Sequence, residues 1–420
     1  MNITSLLNRD IACACGHTHR CDIAHLAIAP GALANLPALV AGYSRILLVA
    51  DDNTYAIAGV RVTALLGGKL AATVLPEAHG HLVPDEAAIA AIEAKADGCD
   101  FILGIGSGVI NDLCKFVSFH RGIECGIVAT APSMDGYASS GAAMILGGMK
   151  VTETTHAPAL ILGDTDILAA APMDMIRAGY ADIIGKFSAL CDWKLSAFVN
   201  GEYLCPWIYD IVLEKTKEIR ALAKAIASRD ADAIRALMEA LVLIGACLTL
   251  TGSTRPGSGS EHHLSHYFEI TGLLRGEPYF CHGIDVGHAT VLTADMREAL
   301  VKSAAPEFAE RPASEREAAW ARIYGRIAPE VAALQEKAGR YAAPKLDFYR
   351  AHWDAIRAIL AECPAADEIF AMLTDVGFTR EEFRAMYGAA KVADGRLYAK
   401  DLKDRYSVLW IYYYFMEETK

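Results

Sequence analysis

The stretch FILGIGSGVINDLCK, Phe101–Lys115, decides the fold of this chain. It opens as an uncharged apolar run, turns on Gly104, Gly106 and Gly108, and continues as a helical pattern. A short apolar run followed at once by a helix reads as a strand buried on both faces, the habit of parallel sheets. The alternation recurs on either side. RILLVAD (Arg45–Asp51) precedes the amphipathic NTYAIAGVRVTALL, AATVLP precedes PDEAAIAAIEAKAD, and GIVAT and ALILGD (Ala159–Asp164) complete the series. Beyond Pro172 the strand signal nearly vanishes and long helical stretches such as MDMIRAGYADIIGKFSALCDWKLSAFV take over. The pattern predicts an α/β N-terminal domain over residues 1–168 and an all-α C-terminal domain over residues 169–420.

Composition narrows the function. The chain has 420 residues, 53% hydrophobic and 21% charged, which excludes a disordered or coiled-coil protein. Its 39 Lys and Arg stand against 51 Asp and Glu, a net charge of −12. That balance argues against nucleic acid or an anionic membrane as main partner, but not against a small anion met by local cations. Mean hydropathy is +0.24, yet the longest uncharged run, Ala240–Thr254, has 15 residues, short of the roughly 20 of a spanning helix. It is expected to be a buried core helix. The N-terminus has neither the basic start nor the apolar stretch of a signal peptide, and 11 cysteines are scattered along the chain. A cytoplasmic protein with reduced thiols is expected.

The glycine turn between strand and helix offers free backbone N–H groups and a positive helix end to a pyrophosphate. It is not a GxGxxG fingerprint, because Asn111 stands where the third glycine belongs, and a plain tight turn fits it as well. Asp51, ending the RILLVAD strand, fits either a ribose acceptor or a helix cap. ATAPSMDGYASSGAAMILGGMK leaves room for a planar ring against backbone, with Asp135 and Lys150 as its only charges.

Five of the 13 histidines, His262, His263, His266, His282 and His288, fall within 27 residues. RPGSGSEHHLSHYFE should open a helix, with Ser258 and Glu261 as a capping box. His262 and His266 then share one face, and His263 is swung about 100° away. His282 should begin the next long helix. Asp182, flanked at three residues by Gly179 and Gly185, lies on a face cleared of bulk, and could instead form a surface pair with Lys186. Cys13-x-Cys15, His19 and Cys21 resemble a zinc clip, but the spacing is too tight for a two-pair finger, and β-structure is the expectation there.

Taken in order, GIGSGVINDLCK, ATAPSMDGYASSGA, AGYADIIGK, RPGSGSEHHLSH and HGIDVG resemble the superfamily of iron-type alcohol dehydrogenases, glycerol dehydrogenases and dehydroquinate synthases. More narrowly, the combination of MDGYAS with RPGSGSEHH is similar to the bacterial branch of sn-glycerol-1-phosphate dehydrogenases, over nearly the whole chain. The resemblance implies a Rossmann-like nucleotide-binding domain followed by an all-α domain, and NAD(H) or NADP(H) as cofactor. It implies that Asp182, His262 and His282 hold one divalent metal, with zinc first and nickel or iron as alternatives. Gly104, Gly106, Ser107 and Gly108 would hold the pyrophosphate and Asp51 the ribose. Thr130, Ser139 and Lys150 would line the nicotinamide side, with Asp112 and Ser133 completing the cofactor contacts. Asp135 would meet the glycerol hydroxyls and act in catalysis. Two departures stand out: Gly104-Ile105-Gly106-Ser107 replaces a common Gly-Gly-Gly-Ser, and Ile284-Asp285 replaces the usual Glu after HG.

The reaction so implied is reduction of dihydroxyacetone phosphate to sn-glycerol 1-phosphate. The alternatives are a dehydrogenase of an unphosphorylated polyol and a dehydroquinate synthase-like lyase. The substrate phosphate needs cations, and Arg255, seven residues before His262, is expected to supply one together with His266 and Lys150. A homo-oligomer is expected.

Overall fold

A computed structural model describes residues 3–77, 82–278 and 280–416. Internal contacts divide the chain into two compact units, each made of two stretches: Met1–Ile183 with Asp210–Thr254, and Ile184–Tyr209 with Arg255–Lys420. The point at 168/169 where strand patterns stop lies inside the first unit. The principal helices are α1 (Gly108–Arg121), α2 (Met173–Ile184), α3 (Lys186–Asn200), α4 (Ala231–Thr251), α5 (Ser260–Arg275), α6 (His282–Lys302) and α7 (Val408–Tyr414).

The first unit is built on strands β1 (His25–Ala29), β2 (Ile46–Ala50), β3 (Leu70–Val74), β4 (Phe101–Gly106), β5 (Glu124–Ala129) and β8 (Leu160–Asp164). Between the last two runs a hairpin of β6 (Gly141–Leu146) and β7 (Met149–Thr154). The six-stranded sheet has the order β1-β8-β5-β4-β2-β3, and every neighbouring pair is parallel. β2, β4 and β8 are buried along their whole length, which is why each reads as one apolar run. Leu48, Phe101, Leu103, Val128 and Leu162 join Val62 and Leu66 in one core cluster, each worth roughly 1.5–3 kcal/mol of burial. β1 and β3 are the half-exposed edges, and β1 is a strand the sequence reading missed.

Gly104 and Gly106 are packing glycines. A Cβ on Gly104 would lie 2.9 Å from Ile127 and 3.0 Å from Cys114, and one on Gly106 would lie 2.7 Å from Ile110. Both therefore let α1 lie close against its own strand. α1 ends at Gly122, whose φ of 66° gives the left-handed cap. The hairpin turns on Gly147 and Gly148, at φ 60° and 78°, the two-residue turn whose twist matches paired strands.

The loop between β5 and β6, residues 130–140, is gripped by two helices of the same unit. A Cβ on Gly179 of α2 would come 1.8 Å from the carbonyl oxygen of Pro132, and one on Gly245 of α4 would come 2.4 Å from that of Asp135. α4 contains most of the long uncharged run. Among the described residues it is the one helix long and apolar enough to cross a membrane, and 78% of that window is buried in the fold, as expected of a core helix.

In the second unit, helices pack without a large sheet. α5 lies against α6, and a two-stranded antiparallel pairing of Glu307–Phe308 with Phe415–Met416 closes near the chain end.

Because backbone atoms fill the space beside Gly179 and Gly245, Gly179→Ala and Gly245→Ala should each destabilise the protein by at least about 1–3 kcal/mol. Gly42→Ala, with nothing within 4 Å of the added methyl, should leave stability unchanged. Chemical denaturation of the three variants measures this.

Candidate active site

The order of the sheet fixes where a nucleotide can lie. From β2 the chain steps outward to β3 and then returns across β2 to β4. The crevice at the carboxyl ends of β2 and β4 is therefore the topological switch point, where open α/β sheets take their ligands. Ala50 pairs with Ile105 and Gly106 with Ala129. This places Asp51, Ser107-Gly108 and Thr130 side by side at that end of the sheet. Gly108 starts the 14-residue α1, so free N–H groups and a positive helix end face the crevice.

Several expected cofactor residues already have internal partners. Asp51 caps the helix that follows it, accepting the Thr54 N–H at 2.8 Å. Asp112 accepts the Ala143 N–H at 3.1 Å and pairs with Lys115 at 2.9 Å, which ties α1 to the hairpin. Ser139 donates to the carbonyls of Gly136 in its own loop and of Gly141 at the start of β6. Thr130 and Ser133 are buried, and Lys150 sits in β7 opposite Ile145. The sequence reading missed Lys115. Its ammonium is wholly buried and donates to the carbonyls of Gly136 at 3.0 Å, Ser139 at 3.4 Å and Gly141, while Asn111 donates to Gly136 at 3.2 Å. Together they fix the loop that carries Asp135.

Asp182 is completely buried near the end of α2, and its Oδ2 accepts the Asp135 N–H at 2.9 Å. Its burial overturns the reading of Asp182 as a solvated surface charge. Lys186 is itself buried and donates to the Gly257 carbonyl at 3.0 Å. The glycine at 179 admits the loop, as its spacing from Asp182 indicated.

In the second unit, His262 and His266 share a face of α5, and His282 opens α6. The rings of His262 and His282 are 5.1 Å apart, those of His266 and His282 5.7 Å, and those of His262 and His266 6.2 Å. Ligand atoms of His266, Glu269 and His282 lie within 4.8 Å of one another. The expected capping box is displaced: the N-cap is Gly259, not Ser258. Glu261 still caps, accepting the Gly259 N–H at 2.7 Å, and it also accepts from His262 Nδ1 at 2.8 Å. A carboxylate can only accept, so Nδ1 carries the proton and Nε2 keeps its lone pair, the tautomer a metal needs. The start of α5 is fixed by the wholly buried Asp192 of α3. Its carboxylate accepts the N–H groups of Ser260 at 2.6 Å and Val408 at 2.8 Å and pairs with Arg297 at 2.9 Å.

The other two histidines of the cluster belong to the core. His263 points away, wholly buried, and burial with the charges of Lys403, Arg405 and Arg255 holds its pKa well below the usual value. His288 packs on Phe268, Phe383 and Tyr387, and burial brings its pKa down to about 4. Both are neutral at pH 7.

Arg255 requires a correction. It is 3% exposed, and its guanidinium donates to Glu202 through Nε at 2.6 Å and through Nη2, to Ser196 at 3.1 Å and to the Tyr406 carbonyl at 2.6 Å. Four of the five N–H groups of the fork are thus engaged within the second unit. Burial works to raise the Glu202 pKa, but the hydrogen bonds and charge of Arg255 outweigh it and hold the carboxyl below its ordinary range. Arg255 is thus an internal strut of the second unit.

Arg255→Ala should therefore cost about 1–3 kcal/mol of stability, because half-buried Glu202 keeps Ser196 as a donor but loses the guanidinium. It should lower activity toward phosphorylated and unphosphorylated substrates alike, which denaturation curves and parallel assays measure. Selective loss of the phosphorylated substrate would restore Arg255 to the phosphate site.

Residues 27–172 match the family described as iron-containing alcohol dehydrogenase. The chain is 36% identical over 288 residues to a glycerol-1-phosphate dehydrogenase (NAD(P)+) of Halalkalibacterium halodurans, covering 67% of this chain and 72% of that one. It is 30% identical over 373 residues to the protein of the same name from Geobacillus stearothermophilus, covering 87% and 86%. In fold it is similar to the crystal structure of a probable glycerol dehydrogenase from Sinorhizobium meliloti 1021. There the TM-score is 0.54 at 19% identity, with 87% of this chain and 97% of that one covered. The parallel sheet and the largely helical second unit agree with the likeness in fold, and the chain belongs to the glycerol-1-phosphate dehydrogenase family of iron-type alcohol dehydrogenases.

Proposed function

We propose that this chain reduces dihydroxyacetone phosphate to sn-glycerol 1-phosphate with NADH or NADPH, and catalyses the reverse oxidation. The observation that carries the reading is family membership over 87% of the chain. The nucleotide is assigned to the crevice at the ends of β2 and β4, with Asp51 toward the ribose and the Ser107-Gly108 backbone toward the pyrophosphate. Thr130, Ser133, Ser139 and Lys150 are assigned to the nicotinamide side.

Asp182, His262 and His282 are proposed to hold one divalent cation, zinc by preference, with nickel and iron accepting the same donors. The fit rests on donor chemistry: a buried carboxylate, and two imidazoles of which one has its tautomer set by Glu261. Such a cation supplies Lewis-acid polarisation of the ketone carbonyl. The residues do the rest. Glu261 keeps the His262 Nδ1 proton in place, the Asp135 N–H orients the Asp182 carboxylate, and Lys115 with Asn111 holds the Asp135 loop still. Asp135 is assigned to the glycerol hydroxyls. With Arg255 engaged elsewhere, His266 and Lys150 remain as the phosphate contacts. We assign the enzyme to the cytoplasm as a homo-oligomer; no disulfide joins any of its 11 cysteines.

The test is oxidation of NADH and NADPH with dihydroxyacetone phosphate after reconstitution with zinc, nickel or iron, followed by chiral analysis of the product. Expected are sn-glycerol 1-phosphate and far slower turnover of unphosphorylated dihydroxyacetone. Equal or faster turnover of the unphosphorylated ketone would make the chain a polyol dehydrogenase. Glu261→Gln should weaken metal binding about 10–100-fold, measured by chelator competition.

A further inference from the structure

A second set of metal-ligating side chains lies in the first unit, outside the residues assigned above. The N-terminal segment forms a two-stranded antiparallel hairpin, Ile11–Ala12 paired with Thr18–His19. Its tip is the Cys13-Ala14-Cys15-Gly16 turn. Gly16, at φ 87°, returns its N–H to the Cys13 carbonyl at 3.0 Å, and the Cys13 N–H reaches the His17 carbonyl at 3.1 Å. This fold-back brings ligand atoms of Cys13, Cys15 and His19 within 4.8 Å of one another. Cys15 Sγ lies 3.3 Å from His19 Nε2. Tetrahedral zinc, with bonds of about 2.3 Å to sulfur and 2.0 Å to nitrogen, separates such donors by about 3.5 Å.

The buried His19 is also oriented for the task. Its Nδ1 lies 2.6 Å from the carbonyl oxygen of Leu250 in α4. A carbonyl only accepts, so Nδ1 carries the proton and Nε2 presents its lone pair to the thiols. Cys21, the fourth member of the motif in sequence, is outside the set. It is buried elsewhere, and burial pushes its thiol pKa up to about 12.

We propose that Cys13, Cys15 and His19 bind a zinc ion separate from the catalytic metal, which fastens the N-terminal hairpin to the end of α4. Binding displaces the two thiol protons to solvent, and the site involves no redox change.

Cobalt(II) distinguishes the two metal sites, because only this one contains sulfur. Full-length apoprotein titrated with cobalt should develop a thiolate-to-cobalt charge-transfer band. The Cys13→Ser/Cys15→Ser variant should lose that band and one equivalent of zinc per chain, while keeping reduction of dihydroxyacetone phosphate. Absence of the band in the reduced wild type, or a band undiminished in the variant, would overturn the proposal. Should the variant fail to fold, p-hydroxymercuribenzoate titration of the zinc-loaded wild type decides the matter. Release of one zinc as thiols are blocked, read with a metallochromic dye, supports the site, and release of none overturns it.

Discussion

The geometry of the second unit rests on one buried carboxylate. Removing Asp192 from water costs several kcal/mol unless its oxygens are fully engaged, and they are: by Arg297, by the Ser260 N–H and by the Val408 N–H. Ser260 is the first residue of α5, so the negative charge also offsets the positive end of that helix. Gly259 makes the approach possible, since a Cβ there would lie 2.7 Å from Asp192 Oδ2. Once the first turn of α5 is pinned in this way, its rotation is set. Glu261, His262 and His266 then fall where their chemistry needs them.

The first unit solves a similar problem with backbone. The loop from Thr130 to Ser140 has carbonyls that must find donors away from water. Lys115 meets two of them, Gly136 and Ser139, and reaches on to Gly141 at the start of β6, while Asn111 also donates to Gly136; the glycines of α2 and α4 let the helices close to the distance of the main chain. A buried ammonium is thus a frame for a loop rather than a charge awaiting substrate. The same holds for Arg255. Both cations are engaged inside the fold.

What could be read from the sequence followed from local patterning. β2, β4, β5 and β8 are short apolar runs because burial on both faces, nearly end to end, removes any alternation. The edge strand β1 has no such signature, since HLAIA is half exposed. The hairpin announced itself only by Gly147-Gly148, and within a stretch already rich in glycine that signal did not stand out. The shared face of His262 and His266 was legible because helical spacing is a local property. The role of Arg255 was not. An arginine before a helix looks the same whether it meets a phosphate or a carboxylate, and its partner, Glu202, lies 53 positions away. Lys115 was hidden for the same reason, its acceptors being set by a loop more than 20 residues downstream.

The interleaving of the two units has a consequence for synthesis on the ribosome. All of the six-stranded sheet has been made by Asp164, but α4, which covers the Asp135 loop through Gly245, ends only at Thr251. Residues Ile184–Tyr209, which belong to the other unit, emerge in between. A nascent chain therefore carries a finished sheet whose 130–140 loop still lacks one of its two walls, and it cannot complete that loop by folding in simple N-to-C order. Neither unit is a continuous stretch of chain, so no single cut yields the two units as intact fragments.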